Sequence, residues 1–155
     1  MKSSSLVRII MTPIGKMIAE VNGDALTYLD FTDEAEVEDG SSNHPLLVKI
    51  ETELAEYFAK KRRIFTIPLS PSGTAFQEGV WATLCAIPYG ATISYADEAK
   101  SFGNPRATRA VANANSKNPI SILIPCHRVI SSNGSIGGYS GGLWRKEFLL
   151  SLERE

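Results

Sequence analysis

The eleven residues Ile120-Ser121-Ile122-Leu123-Ile124-Pro125-Cys126-His127-Arg128-Val129-Ile130 constrain this chain more than any other stretch. An apolar, isoleucine-rich run too short to cross a membrane predicts a buried strand or extended core segment. It then delivers a proline, a cysteine, a histidine and an arginine in succession, which sets a thiol on a rigid support. Two readings of Cys126 stand side by side. A free cysteine is commonly a small buried hydrophobe. A nucleophilic cysteine needs a base or a positive field beside it, because the thiolate attacks and the thiol does not. His127 and Arg128 can supply either. Adjacent side chains on an extended chain point to opposite sides, so His127 reaches the Cys126 sulfur only through a bent backbone or a relaying water.

The remaining composition narrows the class. A chain of 155 residues with 43% hydrophobic and 21% charged side chains is sized for one core or two small subdomains, and its balance is that of a soluble globular protein. Met1-Lys2-Ser3-Ser4-Ser5 leads into no secretory h-region, so the expected address is the cytoplasm, or the nucleus in a eukaryote, with Cys85 and Cys126 reduced. The two cysteines and two histidines, His44 and His127, match no zinc-ligand spacing, and no metal is expected. Charge is divided unevenly. Residues 1–59 carry four basic and eleven acidic side chains, residues 60–155 carry twelve and six, and seven basic residues with no acidic one lie between Lys100 and Lys146. A solvated face and a polyanionic partner both account for that segment.

Along the chain, Val7 to Met11, Ile14 to Val21 and Ala25 to Phe31 are β-rich, with Asn22-Gly23-Asp24 as hairpin turn chemistry. An acidic, aperiodic loop follows over residues 32–43. From Pro45 the period becomes helical, with Leu46, Leu47, Ile50, Leu54, Tyr57 and Phe58 on one face, and Lys60-Lys61-Arg62-Arg63 suits the negative end of the helix dipole. Ile64 to Gly73 reads as an extended connection between subdomains. Phe76, Val80, Trp81 and Leu84 mark the next helix, with Cys85 at its end as a structural residue. Ser94 and Asp97 form a capping pair, Gly103 closes that helix, Asn104 caps another, and Pro105 opens it, which makes a helix-turn-helix over about 94–115. Its second helix carries Arg106 and Arg109 among alanines, so its backbone can approach another surface closely. A packed hairpin and a DNA-reading one both fit. Residues 131–142 hold five of the twelve glycines and embed Tyr139 and Ser140, which predicts a pocket wall. A last amphipathic helix presents Leu143, Trp144, Phe148, Leu149 and Leu152.

Pro125 to Ile130, preceded by the helix-turn-helix and Asn118-Pro119, closely resembles the O6-alkylguanine-DNA alkyltransferases. The likeness extends through Gly73 to Gln77, Val80-Trp81, Ile87 to Gly90, Ser94-Tyr95, Gly103 to Pro105, Arg109 to Val111, Tyr139 to Gly142 and Lys146 to Glu153. It is weaker in the N-terminal part, through Thr12 to Gly15. The resemblance implies an α+β fold: a small N-terminal β-sheet with a helix, residues 1–68, packed on a mainly helical alkyltransferase subdomain, residues 69–155. It implies a suicide methyltransferase of DNA repair that flips O6-alkylguanine, and also O4-alkylthymine, out of double-stranded DNA and transfers the alkyl group irreversibly to Cys126. Neither cofactor nor metal is implied.

The resemblance also assigns roles. His127 activates the thiol through a water with Glu153 behind it, Asn118 braces the active-site turn, and Tyr95 protonates the departing guanine. Val129 and Cys126 offer carbonyls to the base, and Tyr139 and Ser140 line the pocket. Arg109 fills the vacated place in the stack, and Ala96, Asn104 and Ser132 are further contacts in the minor groove. The protein is expected to act as a monomer, away from membranes. Ala112 stands where the family often has glycine, Ser116-Lys117 replaces a frequent Gly-Arg, and Ser140 replaces an alanine common in bacterial members. The rival readings are an alkyltransferase-like protein that recognises lesions without transfer, against which Cys126 argues, and a cysteine hydrolase, which leaves Arg109 and the basic segment unused.

Overall fold

The computed structural model describes residues 5–33 and 41–154, so most of the expected acidic loop lies outside the described residues. The chain divides into two compact units, Met1–Ser72 and Gly73–Glu155. The division falls four residues beyond the expected 68/69 boundary. The reason is a backbone clasp: Leu26 N–H donates to the Pro68 carbonyl at 2.9 Å and Ser70 N–H to the Leu26 carbonyl at 2.8 Å, which ties residues 68–70 to the N-terminal sheet.

The N-terminal unit is an antiparallel sheet in the order β1 (Ser5–Thr12), β2 (Gly15–Asn22), β3 (Ala25–Phe31), followed by helix α1 (Pro45–Phe58). Both hairpins close over two residues, Thr12 pairing with Gly15 and Asn22 with Ala25. Gly23 takes φ 66°, the left-handed conformation that two-residue hairpins favour. Alternation delivers Met17, Ala19 and Val21 to the buried face of β2, where α1 presents Leu47, Ile50, Leu54 and Tyr57. Pro45 opens α1 as expected, with His44 as its N-cap. The basic cluster follows directly on the C-terminal end of the helix: α1 ends at Phe58, Lys60 turns left-handed at φ 64°, and Arg62 folds back onto Glu56 at 2.7 Å.

The C-terminal unit contains α2 (Ala75–Leu84), a two-residue strand β4 (Ile93–Ser94), α3 (Tyr95–Phe102), α4 (Thr108–Ser116), a one-turn 3₁₀ helix over Cys126–Arg128, a short strand β5 (Val129–Ile130) and α5 (Leu143–Arg154). Thr74 and Gln77 form a capping box at the start of α2. Ser94 caps α3 by accepting from Asp97 N–H at 3.0 Å, and Gly103 ends it at φ 106°. The second helix of the pair begins at Thr108 rather than Pro105. Asn104 accepts from Arg106 N–H through its side chain and from Ala107 N–H through its carbonyl, so Pro105 sits in a turn that delays helix entry. Val80, Ala99, Val111 and Ala114 pack α2, α3 and α4 together, and the Trp81 indole N–H donates to the Ala114 carbonyl at 2.9 Å. This slim, alanine-lined seam lets the three helices approach closely.

Two further expectations are corrected. The run Ile120–Ile124 is buried but is neither strand nor extended: it turns at residues 121–123, with Ile122 at φ 72°, before the 3₁₀ turn. A β-branched residue in that region is a backbone outlier held by its surroundings. On α5, Leu143, Trp144 and Phe148 are exposed, while Lys146, Leu149, Leu150, Leu152 and Glu153 are buried. The buried stripe therefore includes two charged residues in place of three apolar ones. Among the described residues, no helix is long and apolar enough to cross a membrane.

Candidate active site

The site is assembled where β4 and β5 pair in parallel, Ile93 with Val129 and Ser94 with Ile130. This short ladder joins the entry to α3, and hence Tyr95, to the segment leaving Cys126. On the other side, Asn118 spans the turn before the cysteine. Its Nδ2 donates to the Ile124 carbonyl at 2.8 Å and its Oδ1 accepts from Ile120 N–H at 2.9 Å. That pair of bonds holds the left-handed step at Ile122 and delivers Cys126 into the 3₁₀ turn. The backbone at the thiol is thus bent.

Cys126 is buried, 8% exposed, and lines a cavity of about 540 Å³ with Tyr95, Tyr139, Ser140 and Asn115. Behind it lies a closed polar cluster. His127 is fully buried and its Nε2 meets Glu153 Oε2 at 2.8 Å. Arg128 donates to both oxygens of the same carboxylate, from Nε at 2.8 Å and Nη2 at 3.0 Å, and from Nη1 to the Ile87 carbonyl at 2.7 Å. Since Glu153 is an acceptor toward Arg128, the imidazole proton belongs on Nε2, and Nδ1 keeps its lone pair. Nδ1 is buried with no hydrogen-bond partner among the described residues. Burial pushes the His127 pKa below the usual histidine value, against the raising effect of Glu153, so the ring is a neutral base at physiological pH.

Tyr95 is held from the other side. Its hydroxyl accepts from Gly138 N–H at 3.3 Å, and burial raises its pKa, which keeps the phenol protonated. A Cβ on Gly137, which has φ 77°, would lie 2.8 Å from the Tyr95 hydroxyl, so glycine is required there on two counts. Lys146 was not singled out from the sequence as a site residue. It is fully buried and donates to the Val129 carbonyl at 2.6 Å and the Gly138 carbonyl at 3.0 Å, tying the glycine loop to β5. Burial lowers its pKa to about 8, while attraction between its ammonium and the charged form of Cys126 acts in the opposite direction. Lys146, Leu149, Leu150 and Glu153 follow the i, i+3, i+4, i+7 spacing of one helical face, and that periodicity was the available signal.

Glu98 and Asn115 were also missed. Glu98 on α3 is fully buried, and Asn115 on α4 donates to it from Nδ2 at 2.7 Å. Burial pushes the Glu98 carboxyl up to about 7.

The expected DNA contacts lie on the surface of the helix pair. Arg109 is exposed and lines an open cleft with Arg106 and Thr108; Tyr95 and Ala112 border both that cleft and the cavity at Cys126. Asn104 and Ser132 are exposed and Ala96 half-buried. Val129 is buried, with its carbonyl already bonded to Lys146, and it does not line the cavity. Among the described residues, no group of three or more His, Cys, Asp or Glu side chains is placed to hold a metal ion.

Fold and site together define a helix-turn-helix protein whose cavity-lining thiol is followed in sequence by a buried base. Comparison with known proteins resolves the class further. Residues 6–71 match the ribonuclease-like domain, and residues 75–155 the DNA binding domain, of 6-O-methylguanine DNA methyltransferase, and the chain belongs to that family. It is 46% identical over 149 residues to the methylated-DNA–protein-cysteine methyltransferase of Methanosarcina barkeri, covering 94% of each chain. It is 42% identical to the constitutive enzyme of that name from Bacillus subtilis, covering 92% of each. Among solved structures, Mycobacterium tuberculosis OGT in complex with DNA superposes with a TM-score of 0.87 at 40% identity, over 96% of this chain and 92% of that one.

Proposed function

We propose that this protein repairs alkylated DNA by transferring the alkyl group from the O6 position of guanine, and from O4 of thymine, to Cys126, once per molecule. The observation that carries the reading is a buried thiol in a cavity wall, next in sequence to a fully buried histidine whose free nitrogen is Nδ1. Nδ1 takes the thiol proton through a water. The sulfur attacks the alkyl carbon, the carbon–oxygen bond breaks, and its electron pair leaves with the base while Tyr95 gives up its phenolic proton to that base. The product is a thioether on Cys126, and nothing in this sequence of steps regenerates the thiol.

A base inside a duplex cannot reach such a cavity, so the lesion is rotated out at a cost of roughly a few kcal/mol. Arg109 enters the vacated stack and α4 lies in the minor groove, a reading supported by the exposure of Arg109 at the cleft beside the cavity and by the slimness of α4. Ala96, Asn104 and Ser132 complete the contact face. The protein acts on double-stranded DNA as a monomer, in a reducing compartment such as the cytoplasm or a nucleus.

The test uses a duplex carrying tritiated O6-methylguanine. Label should move to precipitated protein with wild type, vanish with Cys126→Ser, and move more slowly with Arg109→Ala. Label that stays on the DNA while wild type binds the lesion tightly would make this a recognition protein, and label released as a small molecule would make it a hydrolase.

A further inference from the structure

The N-terminal unit holds a groove that takes no part in the chemistry above, since Tyr95, Cys126, His127 and Glu153 all belong to the other unit. The groove encloses about 430 Å³ between the first hairpin and the last turns of α1, and is lined by Met11, Pro13, Leu54, Ala55, Phe58 and Ala59. Its lining is almost wholly apolar, and Met11 stands 71% exposed. Both banks are stiff. Thr12 Oγ1 accepts from Ile14 N–H at 3.2 Å and donates to the Gly15 carbonyl at 2.6 Å, which fixes the hairpin turn, while buried Leu54 and Tyr57 anchor α1. A groove already formed pays little ordering cost when an apolar side chain enters it.

Cations flank the groove on both sides. Lys16 pairs directly with Met11 across the β1–β2 ladder, so the two side chains share one face of the sheet. On the helix side, Lys60-Lys61-Arg62-Arg63 follows Ala59 and is folded back onto the last turns of α1. Lys60 N–H donates to the Tyr57 carbonyl at 3.1 Å and Lys61 N–H to the Glu56 carbonyl at 2.8 Å. The carboxylates of those turns are already engaged: Glu56 accepts from Arg62 Nε at 2.7 Å, and buried Glu53 accepts from the Thr66 N–H and hydroxyl. The surplus at the groove is therefore positive, although residues 1–59 as a whole carry eleven acidic and four basic side chains.

We propose that this groove is a docking site for an acidic peptide segment of another protein, one whose apolar side chains enter the groove while its carboxylates face Lys16, Lys60 and Lys61. A wholly apolar segment leaves the flanking cations uncompensated. Nucleic acid matches the charge but makes no use of an apolar lining. The acidic remainder of the unit repels such a segment and steers it to this basic end. Docking here tethers the protein through a unit that takes no part in transfer, so the inference stands independently of the function proposed above.

The experiment measures fluorescence anisotropy of a labelled peptide of aspartates interrupted by one phenylalanine and one leucine, titrated with the full chain. A second peptide replaces both apolar residues with serine. The protein variants are Met11→Ser and the double substitution Lys60→Asn with Lys61→Glu. All three positions are exposed, asparagine accepts the left-handed backbone at position 60, and thermal melts confirm that both variants fold. The apolar-acidic peptide should bind wild type, more weakly as salt rises, and the serine peptide should bind roughly tenfold less well. Each variant should also weaken binding of the first peptide by roughly tenfold. Failure of that peptide to bind overturns the proposal, as does equal binding of the serine peptide, which would reduce the contact to charge alone. Variants that bind like wild type would place the peptide elsewhere on the protein and also overturn it. Displacement of the peptide by single-stranded DNA would make the groove a nucleic-acid surface, and a dimer in sedimentation that Met11→Ser dissolves would make its occupant a second copy. Either result overturns the assignment to an acidic peptide.

Discussion

Replacing Glu153 with glutamine separates what this buried carboxylate does for the fold from what it does for the thiol. Glu153 accepts from His127 Nε2 at 2.8 Å, from Arg128 Nε at 2.8 Å and Nη2 at 3.0 Å, and from Gly90 N–H at 3.3 Å. Glutamine offers one acceptor oxygen to these donors and no charge. Removing one partner of a buried ion pair costs about 3–5 kcal/mol. Arg128 keeps its bond to the Ile87 carbonyl, which argues for the lower end, roughly 3 kcal/mol. For a chain of this size that is a fall in Tm of about 6–12 °C. The chemistry should suffer separately, because the amide no longer enforces the Nε2–H tautomer. General-base assistance is worth about 10²–10⁴ in rate, so transfer should slow on the order of a hundredfold. Adding Arg128→Met removes the stranded charge and should recover most of the lost Tm without recovering the rate. The assays are thermal denaturation by circular dichroism and single-turnover methyl transfer well below the melting temperature. A Glu153→Gln protein transferring at the wild-type rate would refute the relay through His127, whatever its stability.

The other predictions follow from the same geometry. Asn118→Ala removes two buried bonds; the Ile124 carbonyl retains the Cys126 N–H, but Ile120 N–H is orphaned, for a loss of about 2–3 kcal/mol in chemical denaturation together with slowed transfer. Gly137→Ala should slow transfer while leaving Cys126 reactive toward a small thiol reagent, since the new Cβ displaces the Tyr95 hydroxyl rather than the sulfur. Transfer should follow a bell-shaped pH profile. A lowered His127 pKa keeps the base neutral until pH falls below the ordinary histidine range, and Lys146 loses its charge above about 8, so the rate drops on both sides of a neutral plateau. A rate that kept rising well past pH 8 would remove Lys146 from the account.

Local chemistry made much of this architecture legible. Ser94 with Asp97, Gly103, and the Gly23 hairpin specify their own backbone, and the structure follows them. The run before Cys126 is different. Its composition signals burial, but the left-handed step at Ile122 is imposed by Asn118 reaching across the turn, and no periodicity encodes that. Helix α5 misled for a related reason. Leu143, Trp144 and Phe148 are the conspicuous apolar residues, yet the buried stripe runs through Lys146 and Glu153, because their heads are satisfied by backbone carbonyls and by Arg128. Glu98 and Asn115 stayed hidden because each is unremarkable alone and acquires meaning only when α3 packs on α4.

The most direct test of the central claim is the intact mass of the protein after incubation with excess duplex containing one O6-methylguanine. The account predicts one methyl increment per chain, saturating there, located on Cys126 and absent from Cys126→Ser. An unchanged mass in protein that binds the lesion, or an increment that survives in the serine variant, would contradict it.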